Sequence, residues 1–446
     1  MGNSKGKRCV VRVIERKRIL LPPEFDTARV RERLIAAAAA AGMPDALEQR
    51  RGGLFAKGSV GVIDIGDVAI EILPKTRDGS AYDEGRAFLV DLLRFVGRDR
   101  GPFATAAESI LEGGGNLIEV LFAWVTTTTA QHADTGFPRR YVSRTDISAA
   151  VRGRIDMKSV ALARPGREFE LVIRHSPISL NNDICHAVRW LMREVGFRTR
   201  RSETRRIANS LLDDMKEVAD RDADVTLFDR IILRPLEEHW SPVLAFGRSL
   251  VLQRSLDPAS VGGNPSVAVL FTMHDLFERA LRRVLHDHGP EAGLLPARIP
   301  RHLLRSEDGG SLVELKPDYA FRMSDAIGER TAVGDAKWKD IWTSSGEPDP
   351  RREDAYQLAA YMVASRADAG FLFAPLIGDS HGDPLRVFRH TMTGSDARVD
   401  IVGIHVPTLM RPDATGNALR EDLCRAIAEA MTLDDAIDEA PSGPSI

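Results

Sequence analysis

The sequence predicts a multidomain α/β chain. A β-rich N-terminal region over 1–140 is followed by a mixed helical middle over 141–264, a C-terminal α/β domain over 265–433, and an acidic, disordered tail over 434–446. Three observations carry this reading. The chain has 446 residues, too many for one comfortable hydrophobic core. Its first part holds apolar runs and alternations at 10–14 and 59–72, the pattern of strands. After a turn-rich stretch at 255–265, the pattern becomes helix, strand, strand, helix, strand.

Taken in chain order, the 59–72 segment contains Gly61, Gly66 and Asp67 and reads as a hairpin turning at Gly66-Asp67, ended by Pro74. A helix over 82–96 carries Phe88, Leu89, Leu92, Leu93 and Val96 at helical spacing. Gly113-Gly114-Gly115-Asn116 punctuates, and 117–130 reads as another helix despite Thr126–Thr129. In the middle region a short strand at 169–173 leads to Asn181-Asn182 and a helix over 184–195. The densest basic run, Arg198, Arg200, Arg201, Arg205 and Arg206, has two readings: a solvated helix face, or a patch for a nucleic-acid backbone.

Bulk composition narrows the class. Hydrophobic residues are 43% and charged residues 28%, with a net charge of −3, so no global basic field draws the chain to nucleic acid. Three widely spaced cysteines, Cys9, Cys185 and Cys424, suit neither a disulfide framework nor a zinc module. No window reaches the roughly 18 consecutive apolar residues of a membrane helix, and a cytoplasmic protein with no membrane partner is expected.

The chemistry-bearing segment begins at 272–287. Here Met273, Leu276, Phe277, Ala280, Leu281, Val284 and Leu285 form one apolar stripe, with Glu278 beside it. Two strands follow at 312–321 and 331–338, joined by a polar loop over 324–330 that contains Gly328. Val333, Asp335 and Lys337 share one face of the second strand, because side chains alternate with a period of two. Asp318 stands opposite on the first. A helix over 353–366 stacks Gln357 above Tyr361, with Ala355, Leu358, Ala359, Met362 and Val363 as its apolar side, and a buried strand follows at 371–374. His286-Asp287-His288, at the end of the earlier helix, reads as a solvated, dipole-compensating cluster.

An acid pair beside a lysine suits phosphodiester hydrolysis. Mg²⁺, with Mn²⁺ able to substitute, neutralises charge on the phosphorus oxygens and lowers the pKa of a bound water, and it prefers carboxylates and waters. The expected metal ligands are Asp318, Asp335, the carbonyl of Ala336, and Glu278. The expected catalytic set is Asp318, Asp335, Lys337 and Gln357. Lys337 orients or deprotonates the attacking water, or stabilises the transition state electrostatically.

Pro317-Asp318, Asp335-Ala336-Lys337 and Gln357-Leu358-Ala359-Ala360-Tyr361 resemble the PD-(D/E)xK nuclease superfamily, in the branch with a Q-x-x-x-Y element found in RecB-like nucleases. Gly61 to Lys75, Gly136-Phe137-Pro138-Arg139-Arg140-Tyr141, Val151-Arg152-Gly153-Arg154-Ile155, Asn181-Asn182 and Met273-His274-Asp275-Leu276-Phe277-Glu278 are similar to the McrC family. That resemblance implies a nuclease subunit of a modification-dependent restriction system, cutting double-stranded DNA that carries 5-methylcytosine. It also implies a partner, a GTP-hydrolysing AAA+ ring of the McrB type, into which the N-terminal part docks and whose GTPase it stimulates. The chain has no G-x-x-x-x-G-K-[ST] phosphate loop of its own, consistent with a motor on another chain. A stand-alone RecB-like repair nuclease and a non-catalytic activator of an AAA+ partner are the competing readings.

Overall fold

The computed structural model describes residues 9–75, 82–96, 117–141, 143–148, 150, 153–155, 171–256, 267–300, 302–305, 311–324, 328–376, 382–395 and 397–432. The chain groups into two compact units, one comprising Met1–Ile72 with Gly97–Leu270 and the other Leu73–Val96 with Phe271–Ile446. This division differs from 140/141 and 264/265. The strand Val267–Thr272 joins the N-terminal sheet, and the Tyr82–Val96 helix belongs to the second unit. The Gly113–Asn116 punctuation, Val151-Arg152, most of the 255–265 linker and the 434–446 tail lie outside the described residues.

In the first unit a four-stranded sheet runs in the order Cys9–Ile14, Val68–Leu73, Ser59–Asp64, Val267–Thr272. Its central strands are a hairpin, as the alternation around Gly66 predicts. Gly66 takes φ 96°, and its N–H is held by the Asp64 carboxylate at 2.9 Å. A smaller sheet orders Arg18–Ile19, Gly53–Ala56 and Leu47–Arg50. The Ala28–Ala40 helix, capped by Thr27, packs into the same core through Leu34, Ala37 and Ala38.

The Leu117–Asp134 helix is buried nearly all round at its first three turns, so its threonines must find partners internally. Thr126, Thr127 and Thr129 hydroxyls donate back to carbonyls three or four residues earlier. The first N–H of this helix, at Leu117, donates to Glu71 Oε1 at 3.0 Å, and Arg12 meets Glu71 Oε2 at 3.2 Å. A buried carboxylate is thereby paired and set at a helix N-terminus, where the dipole favours it. The helices Asp183–Arg198, Ser202–Asp214, Val225–Asp229 and Ser241–Leu256 complete the unit, the first capped by Asn182. The strand read at 169–173 is Leu171–His175, flanked by Arg144–Ser148 and Arg154–Ile155. The basic run is partly internal: Arg198 pairs with Glu194 at 3.0 Å, and Arg205 donates to the Gly196 and Thr199 carbonyls at the helix end.

The second unit is built on a six-stranded mixed sheet ordered Leu295–Pro296, Tyr319–Ser324, Glu329–Ala336, Ala369–Pro375, Arg398–Ile404, Leu385–Thr391. Glu329–Ala336, Ala369–Pro375 and Arg398–Ile404 are parallel, Tyr319–Ser324 and Leu385–Thr391 run against them, and Leu295–Pro296 is antiparallel to Tyr319–Ser324. The strand expected at 312–321 is two strands. Ser311–Glu314 pairs with His302–Arg305, while Tyr319–Ser324 joins the main sheet. The break falls at Lys316-Pro317-Asp318, where proline cannot donate to a ladder.

The Arg352–Ser365 helix covers one face, with Leu358, Tyr361 and Met362 against Val333 and Leu372. Val363, expected on its apolar side, is 64% exposed, and Tyr361 takes its place in the core. The Met273–His288 helix buries all seven residues of the stripe read from the sequence, packing on the helices Tyr82–Val96 and Ala414–Thr432 and on the strand Glu329–Ala336.

Gly61 carries a strict backbone requirement. Its φ is 132°, and an added Cβ would sit 2.0 Å from the Val269 carbonyl oxygen of the neighbouring strand. Gly61→Ala is expected to cost about 2 kcal/mol or more of stability, from backbone strain plus forced separation of two strands. Chemical denaturation checks it, and an unchanged midpoint would refute the requirement.

Candidate active site

The register of the sheet brings the acids together. Tyr319 pairs with Gly334 across antiparallel strands, which sets Asp318 beside Asp335 at one end of the sheet. The Ala336 N–H donates to Asp318 Oδ2 at 2.7 Å, so Asp318 is held by the strand that carries Asp335. The Lys337 N–H bonds the Phe373 carbonyl at 2.8 Å and continues the parallel ladder one residue past Ala336. Its ammonium lies 2.6 Å from Asp335 Oδ2 and donates to Gln357 Oε1 at 3.1 Å.

Gln357 is itself fixed. Its amide donates to the Tyr361 hydroxyl at 2.6 Å, and that hydroxyl donates to the Lys316 carbonyl at 3.1 Å, two residues before Asp318. The chain of contacts therefore returns to the segment where it began. Tyr361 earns its buried place through both its ring and its hydroxyl.

The Met273–His288 helix supplies the other side. Thr272 caps it by accepting the Asp275 N–H at 3.0 Å. His274, Glu278 and Arg282 follow at spacings of four, which align them on one face. One potential ligand atom from each of His274, Glu278 and Asp318 lies within 4.8 Å of the others. Arg282 bonds the Glu278 carboxylate and also donates to the Asp318 carbonyl at 3.3 Å. Tyr319 ties helix to sheet, its hydroxyl donating to the Glu278 carbonyl at 2.7 Å.

Burial dominates the electrostatics. It pushes the Asp318 carboxyl above the ordinary range, and nearby Glu278 pushes the same way; the Ala336 N–H, His274 and Lys337 only partly offset this. Asp335 is likewise raised by burial, and Lys337 opposes the rise. For Lys337 burial pulls the pKa down, but the Asp335 pair and the charges of Asp318 and Asp354 outweigh it and hold the ammonium above its usual value. Carboxylates crowded without enough positive charge make a natural seat for a cation.

The donor set fits a hard divalent cation: two carboxylates and an imidazole converge, with a third carboxylate alongside. Among the described residues, Asp335 Oδ2 is buried, faces the Lys337 ammonium, and accepts no well-formed hydrogen bond. The converging group differs from the expected Asp318, Asp335, Ala336 and Glu278. Asp318 and Glu278 are in it, while Asp335 is turned to Lys337 and Ala336 meets Asp318 through its N–H. His274 was not among the expected residues. Its signal was available in the sequence, four residues before Glu278 on a helix whose apolar stripe is unmistakable. His286 contacts Asp287 at 2.9 Å at the helix end and is largely exposed, in line with a solvated cluster.

Together these features define an α/β protein with an acid–lysine centre at one end of a mixed sheet. A family model for the McrBC 5-methylcytosine restriction system component matches residues 54–375, well over half of the chain. The chain belongs to that family. Among solved structures, it is similar to a chain in a refined half-complex from the tetradecameric assembly of Thermococcus gammatolerans McrB AAA+ hexamers with bound McrC. That similarity covers 93% of this chain and 99% of the other, at 17% identity and a TM-score of 0.49. A chain of the cryo-EM structure of the Thermococcus gammatolerans McrBC complex is similar over 63% of this chain and 88% of its own, at 17% identity and a TM-score of 0.42. Comparison with curated protein sequences finds no significant match. Among the described residues, no helix is long and apolar enough to cross a membrane.

Two predictions follow from the charges. Because folding raises the Asp318 pKa, the folded state binds its proton more tightly, and stability is lost as pH rises from about 3.9 through the raised value. Asp318→Asn should therefore raise the melting temperature of metal-free protein at neutral pH, with the gain vanishing in acid. A gain that does not change with pH would contradict the burial argument. Arg282 competes with any cation for Glu278, through an exposed pair of the kind worth about 0.2–1 kcal/mol. Arg282→Gln is expected to tighten Mn²⁺ binding by up to about five-fold, read by calorimetry; weaker binding would show that Arg282 helps the site instead.

Proposed function

We propose that this chain is the Mg²⁺-dependent DNA endonuclease subunit of a modification-dependent restriction complex, cutting double-stranded DNA that carries 5-methylcytosine. In this reading it acts with a GTP-hydrolysing AAA+ partner of the McrB type and stimulates that partner's GTPase. The observation that carries it is the convergence of Asp318, Asp335, Lys337 and Gln357, with Glu278 and His274 beside them, in a chain of the McrBC family. The order of strands and helices around them agrees with a PD-(D/E)xK nuclease domain.

Mg²⁺ or Mn²⁺, held by Asp318 with Glu278, His274 and Asp335, would supply charge neutralisation at the phosphate and a water of lowered pKa. Lys337 stays protonated beside Asp335, which suits an electrostatic role toward the charge developing on the phosphate better than proton abstraction. Gln357 holds the Lys337 ammonium in place and is itself held by Tyr361. Family membership in a 5-methylcytosine restriction system component supports both the methylated substrate and a partner subunit of the same system.

The test is cleavage of methylated plasmid by the chain with its AAA+ partner, GTP and Mg²⁺. Asp335→Ala and Lys337→Ala are each expected to lower the cleavage rate by about a hundred- to a thousand-fold while GTPase stimulation persists. Full cleavage by either variant overturns the assignment. Cutting by the chain alone, regardless of methylation, would point to a stand-alone nuclease, and GTPase stimulation with no cutting to a non-catalytic activator.

A further inference from the structure

Three consecutive residues past Ala336 reach the two helices that flank the strand end. Lys337 donates to Gln357 on the Arg352–Ser365 helix. Trp338 is buried, its ring 5.6 Å from Phe277 on the helix of His274 and Glu278, and 6.0 Å from Phe88. Lys339 turns back to the first helix, where its ammonium lies 2.7 Å from both carboxylate oxygens of Asp354. The Lys339 N–H bonds the Lys337 carbonyl at 2.9 Å, so the turn between the two lysines is tight.

Asp354 is only 4% exposed and sits in the first turn of its helix, three residues before Gln357 and thus on the same face. The segment between Lys339 and that helix holds little regular structure, only the bridge between Trp342 and Pro348. Packing of Leu358, Tyr361 and Met362 holds the helix on the sheet, but apolar contact is non-directional, and polar cross-links fix its register along the strand.

We propose that Lys339 and Asp354 form a positioning clamp that sets the Arg352–Ser365 helix, and with it Gln357, in register with Lys337. The proposal rests on the cleavage reading above. Neither residue reaches the reacting phosphate; both act through the Lys337–Gln357 contact. The clamp also accounts for the two lysines in Asp-Ala-Lys-Trp-Lys: the first serves the chemistry and the second holds the frame. Trp338 between them locks the other helix to the same strand end.

Removing one member leaves a buried charge unpaired and would unfold the region for reasons unrelated to positioning. The informative variant is therefore the double replacement Lys339→Met/Asp354→Leu, which removes both charges at similar volume. In the full complex with partner, GTP and Mg²⁺, it is expected to keep a melting temperature within a few degrees of wild type. Its kcat should fall about 10- to 100-fold, as for an ångström-scale misplacement. KM for DNA and the Mg²⁺ concentration for half-maximal cleavage should stay within two-fold. Lys339→Arg, which can still bridge Asp354, should recover most of kcat. A double variant with wild-type kcat, or one whose loss lies in KM, overturns the clamp. If the wild-type chain does not cut at all, it is the cleavage reading that fails, and with it the catalytic consequence. The clamp itself is then judged by hydrogen exchange over 352–358, where unchanged protection in the double variant would refute it.

Discussion

The hydrogen bond from the Ala336 amide to Asp318 Oδ2 is the constraint on which the centre depends. It arises at the end of the antiparallel pairing between Tyr319–Ser324 and Glu329–Ala336, where the ladder stops and a side chain takes up the next N–H. Pro317 ends the preceding segment without a donor to spare, so Asp318 enters at the start of a strand rather than within one. A carboxylate fixed in this way cannot retreat to solvent. Its placement beside Glu278 and His274 follows from that anchor, while burial and the Glu278 charge raise its pKa against the lowering effect of the same N–H.

Around this anchor the unit is cross-linked by polar contacts that an apolar core alone would not need. Tyr319 holds the Met273–His288 helix by a carbonyl, and Tyr361 holds the Lys316 carbonyl just before the proline. Each hydroxyl sits on an otherwise packed aromatic ring, so packing and polar satisfaction reinforce one another. The arrangement concentrates negative charge where folding alone would avoid it. The cost falls on stability and is carried by the well-packed sheet beneath.

Two buried carboxylates, one from each unit, are compensated differently. In the first, Glu71 is satisfied on both oxygens, by Arg12 and by a helix N-terminus, and it serves packing. In the second, Asp335 has one buried oxygen that faces an ammonium yet accepts no well-formed hydrogen bond.

Much of this was legible in the sequence. Period-two alternation located the Gly66 hairpin, a 3.6-residue period marked all seven buried residues of the Met273–His288 helix, and the spacing of Asp318, Asp335, Lys337 and Gln357 singled out the centre. These are local patterns, and local patterns survive in one dimension. What only the tertiary structure decided depends on register and on contacts distant in sequence. It split 312–321 at the proline, placed Val267–Thr272 in the N-terminal sheet, exchanged Val363 for Tyr361 in the core, and brought His274 toward Asp318. It also turned Asp335 toward Lys337 and set Lys339 on Asp354. Sequence spacing shows which side chains share a face; which face meets which is settled by packing between elements, and no single segment encodes it.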